Sequence, residues 1–181
     1  MKLAAPDPRR SRCDTFVLAR AATYATLFVG LLLIFLPRRM LQLSGIVPPA
    51  TLGFAEVAGI VVSMAGGALA LWCILAFAII GKGTPAPFDP PRQLVVVGPY
   101  RYVRNPMYIG AGLALAGAAM FYRSLPLLGY LGLFLLATHA FVLFYEEPTL
   151  TRLFGQQYRD YQTSVRRWLP RFSVRDSRGA A

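Results

Sequence analysis

The sequence predicts an all-α protein: a multi-pass membrane bundle of about four transmembrane helices, followed by a cytosolic amphipathic C-terminal helix. Three observations carry this expectation. The chain of 181 residues is 56% hydrophobic, with a mean hydropathy of +0.49, which is more apolar surface than a soluble domain of this length needs. The excess is gathered in blocks close to the roughly 20 residues with which a helix crosses a bilayer. Finally, 19 basic residues against 8 acidic ones fall between those blocks, pointing to topology and anionic lipid headgroups rather than to nucleic acid.

The first block runs from Val17 to Leu36, with Arg20 near its start able to reach the headgroups. It follows several arginines, as a signal peptide would. The "PRRMLQLSG" after it has no small-x-small cleavage signature, so a retained anchor is expected. The second block, Leu52 to Ile80, contains Gly66-Gly67 and other small residues suited to close helix packing. The third, Met107 to Tyr122, is short and rich in Gly and Ala; the fourth covers Leu125 to Tyr145. Only Arg123-Ser124 separates these two, which makes them an antiparallel hairpin. Beyond them Leu150, Leu153, Phe154, Tyr158, Tyr161 and Val165 recur at helical spacing. That pattern suits an amphipathic helix lying on the membrane or capping the bundle, ended by Pro170. The whole reads as a single membrane domain, with N-terminal spans over 1–80, a core over 81–170 and a disordered tail over 171–181.

Charge then orients the spans. The N-terminal arm, the Gly81–Asn105 loop and the tail after Glu146 share one side of a four-span bundle and hold 16 positive charges, against Arg38, Arg39 and Arg123 opposite. By the positive-inside rule both termini face the cytoplasm, as in a multi-pass protein of a bacterial inner membrane. Cys13 and Cys73 imply neither a disulfide framework nor a metal site, and His139 is the single histidine, so no metal is expected.

Two polar clusters flank the hairpin, Gly98–Tyr108 before it and Glu146-Glu147 after it. Because the chain goes out and comes back, both lie at the cytoplasmic end of neighbouring helices. The plain reading of the first is an interfacial anchor of Tyr and Arg, with Pro106 starting a helix. The plain reading of the second is a solvated acidic pair. Their juxtaposition makes a cation-binding role the sharper alternative. Glu56, near the outer end of the second span, is expected to anchor at the interface or to pair with Arg38 or Arg39. His139 lies about two turns before Glu146 and is read as a packing or hydrogen-bonding residue.

"GPYRYVRNPMYIG" and "EEPTLTRLFGQQYRDYQTSVRRWLP" together resemble the isoprenylcysteine carboxyl methyltransferase family and its bacterial relatives. Arg104, Pro106, Tyr108 and Gly110 match one family motif. Glu146, Glu147, Leu150, Phe154, Gly155, Tyr158, Tyr161, Val165 and Pro170 match the other. The resemblance covers roughly Gln93 to Pro170. It implies a membrane methyltransferase that uses S-adenosylmethionine in a pocket facing the cytosol, with a lipophilic small-molecule acceptor arriving from the membrane lipids. Carried over by position, the cofactor would contact Arg92, Gln93, Leu94, Val95, Tyr100, Asn105, Pro106, Met107, Tyr108 and Glu146. Arg104 and Glu147 are the catalytic candidates, Glu147 as the base that a protonated amine acceptor would need; a carboxylate acceptor needs none.

Asn105 stands where the family usually has histidine, which removes a titratable imidazole but keeps a hydrogen-bonding side chain. Val142 stands where the eukaryotic prenylcysteine enzymes hold the substrate carboxylate with arginine, and Arg166 replaces a proline of the tail motif. Two other classes compete: an NADPH-dependent reductase of the sterol-reductase type, which has a similar late hairpin, and a non-catalytic membrane scaffold.

Overall fold

The structure, a computed structural model, describes Thr23, Thr26, and residues 29–76 and 93–170. Cys13, half of the first apolar block, Lys82, Arg92 and the tail 171–181 lie outside the described residues. The described chain forms α1 (Leu36–Leu43), α2 (Phe54–Ala76), α3 (Pro106–Phe121), α4 (Leu125–Phe141), α5 (Glu147–Phe154) and α6 (Gln156–Ser164). Among the described residues there is no strand, only one isolated parallel bridge between Val103 and Arg166. Among the described residues two helical runs, Phe54–Ala76 and Leu125–Phe154, are long and apolar enough to cross a membrane, and Pro106–Phe121 is apolar but shorter.

Helices α2 and α3 pack antiparallel through small residues. A Cβ added at Gly66 would stand 2.5 Å from both Gly110 O and Ala114 N, and one at Gly59 would stand 2.7 Å from Gly117 O and Phe121 N. The two backbones therefore touch, and Ser63 Oγ adds a hydrogen bond to Ala114 O at 3.1 Å. Lipid tails are as apolar as leucine, so helices in a bilayer gain little by hiding leucine from them; close van der Waals approach at small residues is what joins them. Of the Gly66-Gly67 pair only Gly66 lies in this seam, since an added Cβ at Gly67 has nothing within 4 Å among the described residues.

The turn between α3 and α4 is as short as the sequence implies. Arg123 takes a left-handed φ of 45°, and the Ser124 side chain caps α4 by accepting from Leu127 N at 3.3 Å. The turn also places Arg123 over the start of α2. Its Nε lies 2.7 Å from Glu56 Oε1, and Glu56 Oε2 accepts from Gly53 N at 2.9 Å. The expected pairing of Glu56 with Arg38 or Arg39 is thus corrected to Arg123. Those two arginines instead ride on α1, which continues as helix past Leu36, where the sequence placed the end of the span. Leu41 of α1 packs on Ala119 and Leu127 at this same end of the bundle.

Two wide π turns precede prolines. Gly30–Phe35 comes before Pro37, with Leu36 N bonded to Leu31 O. Val142–Glu146 comes before Pro148, with Glu147 N bonded to Val142 O. Proline has no N–H to give and its ring clashes with the carbonyl four residues back, so lengthening the preceding turn lets the helix continue. The tail departs from the single helix expected. Gly155, at φ +53°, breaks it into α5 and α6, and α6 stops at Ser164, well short of Pro170. Tyr158, Tyr161 and Val165 are buried with Leu94, Leu150 and Phe154 around them, so this part of the apolar face packs against the loop before α3.

Candidate functional site

The site forms where the start of α3, the π turn after α4 and the chain after α6 meet. Pro106 is fully buried at the first position of α3, where a missing N–H costs nothing. Two residues later the Tyr108 hydroxyl donates to Glu146 Oε2 at 3.0 Å, joining the two polar clusters across the hairpin. The wide turn adds a residue to the register of α4, so Glu146 and Glu147 are aimed by Val142–Glu146 rather than by simple continuation of the helix.

Glu147 is held between two guanidinium groups. Arg167 grips it with both arms, Nε to Oε1 and Nη2 to Oε2, each at 2.8 Å. Arg104 Nη1 stands 2.9 Å from Oε1. This second approach is close enough for ion pairing but not aligned as a hydrogen bond, so Arg104 Nε and Nη1 are buried donors without a hydrogen-bond acceptor among the described residues. Two positive charges on one negative leave the cluster net positive. The Glu147 bond raises the pKa of Arg167 above the usual arginine range, keeping it charged throughout.

The segment after α6 forms a strap over the loop before α3. Arg104 N donates to Arg166 O at 2.9 Å, and Asn105 Nδ2 lies 3.5 Å from Arg167 O. Tyr161 donates its hydroxyl to Tyr100 O at 2.6 Å. Trp168 Nε1 donates to His139 Nδ1 at 3.0 Å, which gives His139 the hydrogen-bonding role expected of it and ties the strap to α4. Burial drives the pKa of Tyr100 and Tyr161 well above the usual tyrosine range, so both phenols stay neutral.

The remaining candidates divide into two directions. Val95 and Tyr100 are buried against Cys73 and Ala76 of α2, with Met107 packed beside them, whereas neighbouring Leu94 turns to the α6 tyrosines. Asn105 is buried at the N-cap of α3 without capping it. Gln93 is exposed and Arg92 is outside the described residues. Arg167, Trp168 and His139 were not among the expected site residues. The arginine-rich tail signalled that a cation was available, but nothing in its spacing singled out Arg167.

A family model for phospholipid methyltransferases matches residues 54–157, more than half of the chain. The chain belongs to the phospholipid methyltransferase family. The matched stretch holds α2, the hairpin, Arg104, Tyr108, Glu146 and Glu147, and it ends before the strap with Arg167 and Trp168. This phospholipid methyltransferase family member is accordingly a membrane methyltransferase. No curated protein and no solved structure matches it.

Proposed function

We propose that the protein transfers a methyl group from S-adenosylmethionine to a lipophilic acceptor, in the manner of the isoprenylcysteine carboxyl methyltransferases, with the site at the cytosolic face. The observation that carries this is the Tyr108–Glu146 hydrogen bond beside the Arg104–Glu147–Arg167 cluster, which unites the two motif halves at one end of the bundle. The donor set fits an amino-acid-bearing cofactor: Arg104 offers a carboxylate buried N–H groups that have no acceptor among the described residues, and Glu146 offers a carboxylate to a cation. When bound, S-adenosylmethionine supplies a sulfonium-activated methyl group for direct displacement by the acceptor. Pro106, Val95 and Met107 exclude water from one side, and Tyr108 fixes the Glu146 carboxylate through its hydroxyl.

The acceptor class we favour is a carboxylate. Glu147 has both oxygens committed to guanidinium groups, so we give it a positioning role in place of proton removal. Glu146 already accepts from Tyr108. A carboxylate acceptor needs no base, whereas a protonated amine does. Val142 is completely buried, so a carboxylate would meet Arg104 and not a group at that position.

Calorimetry of S-adenosylmethionine with detergent-purified protein tests the reading, with NADPH and Glu146→Ala as controls. Saturable binding of S-adenosylmethionine, lost in Glu146→Ala, is the expected result. Binding of NADPH alone would move the protein to the reductase class, and binding of neither by folded protein would favour a scaffold.

A further inference from the structure

We infer that Arg167, on the strap beyond the family-matched residues, is a positioning residue that keeps donors of Arg104 available by taking the two-bond geometry on Glu147 for itself. The inference rests on the reading of the site given above, because it assigns the purpose of Arg104's uncommitted donors. Glu147 and Arg104 are both nearly buried, with side-chain exposures of 13% and 11%. Left alone, a carboxylate and a guanidinium this close would settle into the paired, two-bond geometry that their shapes favour. They have not done so. Arg167 occupies that geometry, with two bonds of 2.8 Å to the two carboxylate oxygens. Arg104 is left with a single approach at 2.9 Å through Nη1, and its Nε and Nη1 have no hydrogen-bond acceptor among the described residues.

The strap is anchored for this task from both sides. The backbone of Arg104 is fixed to the strap through Arg166 O, and the residue after Arg167 is fixed to α4 through the Trp168–His139 bond. Arg167 is thereby held between two anchors and Glu147 is drawn toward the strap. Lysine at 167 would keep the charge but offers a point donor and cannot grip both oxygens.

The ligand-independent test follows the Arg104 Nε–H resonance in protein with isotope-labelled arginine, assigned through Arg104→Lys. In Arg167→Ala that resonance is expected to move downfield as Glu147 turns to Arg104, and Arg167→Lys is expected to behave the same way. Adding Glu147→Gln to either variant should return it toward its position in the wild type. In parallel, S-adenosylmethionine affinity should fall on the order of tenfold or more in Arg167→Ala, as for a lost charge-assisted hydrogen bond. Much of it should return in the double variant. A merely structural role predicts no such rescue. An unmoved Arg104 resonance in Arg167→Lys, or a double variant weaker than the single, overturns the inference. Should Arg167→Ala not fold, Arg167→Lys decides. If wild-type protein binds no S-adenosylmethionine, the proposed function fails, while the resonance still decides what Arg167 does.

Discussion

Tyr158 is only 3% exposed, and its surroundings act on its proton in opposite directions. Burial pushes the phenol up to about 12; the Glu147 charge adds to this and the Arg104 charge opposes it. An unfolded tyrosine titrates near about 10, so the fold holds this proton more tightly than the unfolded chain does. The resulting stability is complete below about pH 10 and is lost as pH rises through about 12. Unfolding followed in detergent across that window should show wild-type stability falling with pH. The fall should be shallower in Tyr158→Phe, which has no proton to lose; identical slopes would mean that Tyr158 is not the group responsible. At this scale the sequence was informative about kinds and silent about partners. Tyr108 and Glu146 could be brought together because a short hairpin must return its ends to one level. That Arg167, and not Arg152, Arg159 or Arg166, meets Glu147 depends on where α6 stops, and local spacing does not encode that.

At the scale of elements, the hairpin was legible because Arg123-Ser124 leaves no room for any other connection. The small-residue seam was legible only as a composition. Which glycine of a pair faces the partner depends on helix rotation, and rotation is set by the whole α2–α3 contact. The two wide turns were missed, although both have the same cue: a proline placed inside a helix that must go on. Pro37 and Pro148 each follow a π turn by two residues, so a proline within an apolar run predicts a lengthened turn as readily as a break. The seam yields a paired test. Gly66→Ala drives a methyl group into the backbone of α3 and should cost about 1–3 kcal/mol, as overpacking does. Gly67→Ala meets open space and should be neutral or stabilising by up to about 1 kcal/mol through helix propensity. Thermal unfolding of the two variants in one detergent compares them directly; equal losses would mean that the helices do not meet along Gly59, Gly66, Gly110 and Gly117.

Across the whole molecule the antiparallel packing of α2 and α3 creates two polar ends separated by an apolar middle. One end holds Arg104, Glu146, Glu147 and Arg167; the other holds Glu56 ion-paired to Arg123. A 16-residue α3 separates them by about 24 Å at 1.5 Å per residue, short of a hydrocarbon core of about 30 Å. The buried Glu56 is paired at its own end with Arg123, which ties the turn to α2. The uneven distribution of basic residues between the two ends predicts that the site end faces the cytoplasm. Single-cysteine variants in a background with Cys13 and Cys73 replaced can test this in right-side-out and inverted membrane vesicles. Gln157→Cys, exposed on α6, should react with a membrane-impermeant thiol reagent only in inverted vesicles. Leu125→Cys, exposed at the hairpin turn, should react only in right-side-out ones. The reverse pattern would place the Arg104 cluster outside the cell, away from any cytosolic methyl donor, and would defeat the proposed function along with the orientation.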